Sequence, residues 1–452
     1  MLFRKIEREI ERHLLSTEDD RILIVEGARQ TGKSFIIRAV GKRLFRDFVE
    51  INFAEDAEGG RLFSDVHTID EFYLRLSIFA GKQLVNRETT LVFLDEIQQY
   101  PQFLTLLKFL RQDGKFRYIA SGSLLGIALS RTTSIPVGSV VRKQMFQLDF
   151  EEFLTACGVG GDAVAAVRES CLKCESLDES VHNHLMSLFR RYLLVGGMPD
   201  AVNAYLRTQN IVSVRSVQQA ILTMYADDAS KYEQAASRRL LIRRIYEMIP
   251  SQMENKKKRV VARDIRDREG DRFSRYEAEF EYLVSSGIAN AVRAVANPSY
   301  PLTGSVQKNL LKLYMNDVGM LTARLYGNNI EPILNDQAGV NLGGVYETAV
   351  AQELRAHGAE LFYYDNRHRG EVDFLINDSN RLSVVPIEVK SGKDYKIHSA
   401  LNNLLSVPDY GVGTAVVLSN ARQMSRSGNI AYLPVYAAMF LGMPAEPQQQ
   451  IF

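Results

Sequence analysis

The sequence predicts an α/β protein of two to four domains, and three observations carry that expectation. Three apolar segments, Ile22 to Val25, "TTLVFLD" and "FRYIAS", each run into polar residues and are separated by stretches of helical periodicity. A second alternation of helix and strands lies near the C-terminus, between Gly344 and Val389. At 452 residues the chain is longer than one hydrophobic core ordinarily organises.

Apolar residues at 46% and charged residues at 24% place the chain with ordinary globular proteins rather than disordered or fibrous ones. The net charge of +1 gives no overall attraction to nucleic acid or membrane. Three cysteines in this length point to a reducing compartment, and the lone C-x-x-C of Cys171 and Cys174 lacks the second pair a zinc site requires. The N-terminal "MLFRKIEREIERHLLS" places Ile6, Ile10 and Leu14 at helical spacing and has no signal-peptide core. No apolar run is long enough to span a bilayer, so a cytoplasmic chain without membrane partners is expected.

The first apolar strand runs into "GARQTGKS", which satisfies G-x-x-x-x-G-K-[ST] between a strand and a helix. Gly27 and Gly32 let the backbone wrap so that N–H groups and a helix N-terminus face phosphate. Lys33 is the expected contact to the β/γ-phosphates, and Ser34 the expected Mg²⁺ ligand. Ala28, Arg29, Gln30, Thr31 and Phe35 complete the segment expected around ATP.

About sixty residues later "TTLVFLDEIQQY" ends a strand in two carboxylates, a spacing that suits neighbouring strands of one sheet. Asp95 is expected to hold Mg²⁺ beside Ser34, and Glu96 to orient and polarise the attacking water. "FRYIASGSLLG" supplies Ser121 or Ser123 as a contact to the γ-phosphate or the water; capping of a helix by Ser123 is the competing reading. Three strands with polar C-terminal ends describe a sheet with its ligand at the strand ends. Arg131 and Arg142 are the nearest candidates for a transition-state arginine, although neither is singled out by spacing.

From "QLDFEEFL" to "MYADDASKY" the pattern is helical, broken at Gly196-Gly197-Met198-Pro199, as a lid or connector would be. Residues 231–275 hold 14 basic and 7 acidic residues. Helix, short segment, helix and β-like alternation there suggest a winged helix. Lys256, Lys257, Lys258 and Arg259 could then meet DNA phosphates, or simply form a solvated loop.

The C-terminal stretch reads as helix (Gly344 to His357), then strands (Glu360 to Tyr364, Val372 to Ile376, Leu382 to Val389). If the last two form a hairpin across "NDSNR", Asp373 and Glu388, with Glu347 nearby, make a hard-oxygen site for Mg²⁺ or Mn²⁺. Glu388 and Lys390, two apart on a strand, share a face. Lys390 could help activate a metal-bound water against a phosphodiester, or it could close a structural ion pair. Asp373 in the apolar "VDFLI" is costly unless paired or liganded.

These motifs resemble a widespread group of prokaryotic AAA+-type ATPases whose C-terminal domain of unknown function is similar to the PD-(D/E)XK, or restriction-endonuclease-like, fold. The resemblance rests on "GARQTGKS", "FLDEIQ", "SGSLL", "DFEEFL", "GGMPDAV", "LKLYMNDVGML", "YETAVAQEL", "GEVDFLI" and "PIEVKSG". It implies nucleotide and Mg²⁺ binding by Lys33, Ser34 and Asp95, hydrolysis by Glu96, and a nuclease-type motif of Glu347, Asp373, Glu388 and Lys390. Two positions depart from the pattern: "VGSVV" stands where relatives tend to have Gly-Arg, and Val372 precedes Asp373 where the motif has Pro.

The expected organisation is a P-loop ATPase domain (1–149), a helical connector (150–230), a winged-helix-like segment (231–302) and a nuclease-like α/β domain (303–452). The expected function is an ATPase, itself able to form homo-oligomers, whose nucleotide state controls a DNA-binding or DNA-cleaving module. An ATP-switched binding protein with an inactive nuclease-like domain, and an oligomeric motor acting on protein, are the competing readings.

Overall fold

Strands as uniformly apolar as Ile22–Glu26 and Thr90–Asp95 have to be covered on both faces, which a parallel sheet between helices achieves. The computed structural model describes residues 2–55, 60–123, 138–232, 236–255, 257–266, 270–335, 340–392 and 394–442, with the side chains of 229–232 and 308 left out. Two compact units divide the chain: residues 1–146 with 285–287, and residues 147–284 with 288–452.

In the first unit, α1 (Lys5–Leu15) precedes β1 (Ile22–Glu26), α2 (Lys33–Leu44), β2 (Asp47–Asn52), α3 (Ile69–Ala80), β3 (Thr90–Asp95), α4 (Gln102–Asp113), β4 (Arg117–Gly122) and β5 (Val140–Gln144). The sheet is entirely parallel, in the order β2-β3-β4-β1-β5. Strand alternation splits the core into two layers. Leu23, Val25, Leu91 and Phe93 pack with Ile10 and Leu14 of α1 and Ile36 and Ile37 of α2. Ile22, Ile24, Val92 and Leu94 pack with Phe72, Phe103 and Leu107 of α3 and α4. The expected N-terminal helix is present with Ile6, Ile10 and Leu14 buried. Periodicity did not reveal β5, because it is an edge strand whose Arg142 and Lys143 are exposed.

The second unit begins with helices, Phe150–Ala156, Gly161–Lys173, Glu179–Val195, Pro199–Thr208, Ile211–Tyr232 and Ala236–Glu254. Cys157, Cys171 and Cys174 are free thiols there. The unit's eight-stranded sheet comprises β6 (Ala289–Val295), β7 (Val306–Met315), β8 (Phe362–Asn366), β9 (Gly370–Asp378), β10 (Ser383–Lys390), β11 (Ala415–Ser419), β12 (Ser425–Ser427) and β13 (Ile430–Pro434). Its order is β12-β13-β11-β10-β9-β8-β6-β7. The hairpin expected across "NDSNR" forms, with Asp378 opposite Ser383 and Phe374 opposite Ile387. Helix Gly343–Ala356 packs against β6, β7 and β10, and helix Ser399–Leu405 against β9.

Helices Ala236–Glu254, Ala262–Arg266 and Glu277–Ser285, then hairpin β6–β7, follow the order anticipated for a winged helix. The hairpin is not a free wing, however. β6 pairs in parallel with β8, so the expected boundary at 302/303 falls between two strands of one continuous sheet.

Four motifs of the second unit meet in one buried polar network. Asp317 caps helix Val318–Tyr326 by accepting from Met320 N–H at 2.9 Å, and also accepts from Gly197 N–H at 2.6 Å. Gly197 accepts from Leu148 N–H at 2.8 Å, and Tyr192 donates to both Leu148 O (2.8 Å) and Glu353 (3.0 Å). Glu353 also accepts from Phe150 N–H at 2.8 Å, while Gln352 accepts from Val318 N–H at 2.9 Å. "DFEEFL", "GGMPDAV", "LYMNDVGML" and "YETAVAQEL" are thus one packing unit. Buried polar groups must be partnered, and these partner one another.

Candidate nucleotide site and acidic sheet face

Gly27 begins the loop after β1 at φ 150°, and a Cβ there would lie 2.2 Å from the Met145 carbonyl oxygen. Gln30 (φ 64°) and Gly32 (φ 92°) adopt the left-handed conformation that turns the loop into α2. Thr31 Oγ donates to Ala28 O at 2.9 Å, and the buried Arg4 guanidinium to Thr31 O at 2.9 Å and Phe146 O at 2.6 Å. Lys33, 5% exposed, spans the loop, donating to Gly27 O (3.1 Å) and Ala28 O (2.8 Å). Burial holds its ammonium below the usual range, although Glu96 and Asp95 favour the charged form. Phe35, by contrast, is 58% exposed on the first turn of α2.

At the end of β3, Asp95 Oδ1 accepts from Ser34 Oγ at 3.0 Å, from Glu96 N–H at 3.1 Å and from Ser121 Oγ of β4. Burial pushes the Asp95 carboxyl up, against the two serine hydrogen bonds. Glu96 stands at φ 54°, uncommon for a residue with a side chain and a mark of local strain. Its Oε2 accepts from Ser123 Oγ at 2.8 Å and from Gln98 Nε2. The two serines therefore divide: Ser121 donates to Asp95 and Ser123 to Glu96, while the helix that Ser123 would cap falls on residues 124–137, outside the described ones. Ser34 and Asp95 bring hydroxyl and carboxylate oxygens together, a donor set suited to Mg²⁺.

Arg142 is ion-paired with Glu26 at 2.5 Å on the edge strand, and Arg131 lies outside the described residues. Sequence reasoning missed Arg4 and Gln98. Gln98 is two residues from Glu96, but nothing in the spacing of Arg4 points to a loop 27 residues away.

The second candidate site lies on the face of the larger sheet beneath helix Gly343–Ala356. β9 carries Glu371 and Asp373, and β10 carries Glu388 and Lys390. Asp373 Oδ2 accepts from Val389 N–H at 2.8 Å, and Lys390 Nζ lies 2.8 Å from Glu388 Oε1. Glu388 is 6% exposed, and its Oε2 has no hydrogen-bond partner among the described residues. Burial, then Glu347 and Glu388, push the Asp373 carboxyl well above its usual range. Burial also raises Glu388, although Lys390 opposes it. Both Glu347 oxygens are occupied, Oε1 by Lys258 Nζ at 2.9 Å and Oε2 by Tyr314 OH at 2.8 Å. Among the described residues no three Asp, Glu, His or Cys side chains are arranged to hold a metal ion.

The basic run at 256–259 corrects one expectation. Lys257 is exposed and Lys256 lies outside the described residues, but Lys258 and Arg259 turn inward. Arg259 pairs with Asp365 (2.7 Å) and Glu371 (3.3 Å), so neither it nor Lys258 is available to phosphate as a solvated cation. Their carboxylate partners are about a hundred residues away in sequence, which is why a charge run read as a loop. Lys312, 1% exposed, pairs with Glu371 at 2.5 Å. Lys312 and Tyr314 are two apart on β7, and that period was the available signal for both.

Residues 19–154 match the family described as an AAA domain. Residues 186–330 and 342–438 match two domains of unknown function, DUF8612 and DUF4143. No curated protein matches the chain. Among solved structures it is similar to the Walker-type ATPase PABY2304 of Pyrococcus abyssi, at 16% identity and TM-score 0.43, over 72% of this chain and 96% of that one. It is also similar to ORC2 of Aeropyrum pernix in ADPNP–ADP complexes, at 11% identity and TM-score 0.38, over 74% of this chain and 95% of that one. AMPPCP-bound DnaA from Aquifex aeolicus is similar at 12% identity and TM-score 0.31, over 57% of this chain and 76% of that one. No helix among the described residues is long and apolar enough to cross a membrane. Residues 19–154, which hold the G-x-x-x-x-G-K-S loop and the Asp95–Glu96 strand end, thus match an AAA domain, and the chain continues into two segments that match domains of unknown function.

Proposed function

We propose that the chain binds ATP with Mg²⁺ and hydrolyses it, and that nucleotide state controls a restriction-endonuclease-like second unit that grips or cuts DNA. The observation that carries the ATPase reading is the 3.0 Å approach of Ser34 Oγ to Asp95 Oδ1, with Ser121 on the same oxygen. In this reading Gly27 to Ser34 wrap the phosphates, Phe35 flanks the site, and Lys33 exchanges loop carbonyls for β/γ-phosphate oxygens. Ser34 and Asp95 are the residues that would hold Mg²⁺, which would supply charge neutralisation for the developing phosphate charge. Glu96 orients the attacking water, its carboxylate fixed by Ser123 and Gln98.

For the second unit, the orphaned, buried Glu388 Oε2 beside Asp373 favours a site for a divalent cation such as Mg²⁺ or Mn²⁺. Glu347, Asp373 and Glu388 would hold it, and Lys390 would stabilise charge on a phosphodiester. Exposed Arg244, Lys257, Arg266 and Arg272 supply positive charge for DNA. A second reading, a nucleotide-switched DNA or protein binder without cleavage, is favoured by the lysines already on Glu347 and Glu388. Assembly into homo-oligomers and a cytoplasmic location are compatible with both.

Cleavage of single-stranded, double-stranded and branched DNA with Mg²⁺ or Mn²⁺, with and without ATP, tests the proposal. Cutting lost in Lys390→Ala and Asp373→Ala, and altered in Lys33→Ala, supports it. DNA retained without any cutting supports the binder instead.

A further inference from the structure

We propose that Lys258 is an internal counter-cation that occupies the Glu347 corner of the acidic sheet face. It must withdraw before Glu347, Asp373 and Glu388 can together hold a divalent cation. The proposal rests on the metal-site reading above and adds a regulatory contact to it.

Lys258 belongs to neither neighbouring helix. It lies on the non-helical stretch between helices Ala236–Glu254 and Ala262–Arg266. Three attachments lay that stretch on the sheet. Val260 N–H donates to Leu311 O at 2.9 Å along β7, Arg259 reaches Asp365 and Glu371, and Lys258 reaches Glu347. Among the described residues β7 is the last strand of the sheet, so the backbone attachment uses the sheet's edge.

Charge balance explains why Lys258 and a divalent ion exclude each other. Glu347, Asp373 and Glu388 carry three negative charges when ionised, and Lys390 returns one. The remaining two match one divalent ion. With Lys258 also in place only one negative charge remains, and its ammonium holds the Glu347 lone pair that an ion would use. Tyr314 keeps the second Glu347 oxygen in either state. Release breaks one backbone bond, the largely buried Lys258 and Arg259 ion pairs, the Arg259 contact with the Tyr363 ring and the burial of Val260, so it requires a ligand whose binding offsets that cost.

The test is calorimetric titration of Mn²⁺ into the nucleotide-free full chain, comparing wild type, Lys258→Met, Lys258→Gln and each combined with Asp373→Asn. The account expects about tenfold or tighter binding in both Lys258 variants, lost again with Asp373→Asn. Lys258→Gln retains a donor for Glu347 and serves where Lys258→Met fails to fold, as judged by thermal melting. Equal Asp373-dependent affinity in wild type and variants overturns the role of Lys258 but keeps the metal site. Weaker binding in the variants overturns it as well, by making Lys258 a support of the site. No Asp373-dependent binding in any protein removes the metal site and this proposal with it.

Discussion

The Ser34 hydroxyl donates to the Asp95 carboxylate at 3.0 Å, joining the start of α2 to the end of β3. Asp95 ends β3, and Ser34 lies on the first turn of the helix that follows the loop after β1. Both are therefore at the C-terminal side of a parallel sheet, where such sheets place ligands. Asp95→Asn keeps the size of the side chain and removes its charge. It should weaken Mg²⁺-dependent nucleotide binding about ten- to hundredfold while leaving Mg²⁺-independent binding nearly unchanged. Titration of a fluorescent ATP analogue with and without Mg²⁺ measures the difference. Equal losses in both conditions would place Asp95 outside the metal's reach.

Gly197 has no room for a side chain: a Cβ would lie 2.0 Å from Leu148 O, a backbone atom in the buried network. Gly197→Ala should destabilise the second unit by about 1–3 kcal/mol or more, as overpacking does. The urea midpoint followed by a probe within that unit reads this directly. An unchanged midpoint would mean the network tolerates displacement of its backbone.

Asp317 gives a pH dependence of definite sign. Burial raises its carboxyl to about 6 from 3.8, despite backbone hydrogen bonds from Gly197 and Met320. Below pH 3.8 the group is protonated in both folded and unfolded chains, so it adds no penalty. As pH rises towards 6 the unfolded chain releases its proton first, and stability falls by about 3 kcal/mol in total. Asp317→Asn has no such titration. The stability of wild type minus variant should therefore decline between pH 4 and 6.5, and parallel profiles would contradict the assignment.

The nucleotide loop was legible because its chemistry is contiguous: eight residues state it, and Asp95 and Glu96 follow at the end of the next fully apolar strand. The edge strand β5 was not, because Arg142 and Lys143 erase the apolar pattern that marks a strand. In the second unit the hairpin of β9 and β10 was readable from alternation and the "NDSNR" turn. What joins it was not. Lys258 and Glu347 are 89 residues apart, and an ion pair across that distance leaves no local signature. The same limit hid the wing's fate, since the pairing of Arg293 with Phe362 is a long-range backbone contact. Asp317 and Gly197 were quoted within motifs, but their direct bond only emerges from the folded chain.

The most direct test of the account is the ATPase activity of Glu96→Gln beside wild type and Lys33→Ala. Glu96 is held by Ser123 and Gln98 at a strained backbone position, next to the carboxylate that Ser34 reaches. The account predicts that Glu96→Gln binds ATP as wild type does but fails to turn it over, whereas Lys33→Ala fails to bind. Wild-type hydrolysis by Glu96→Gln would contradict the role given to Glu96 and the mechanism built on it.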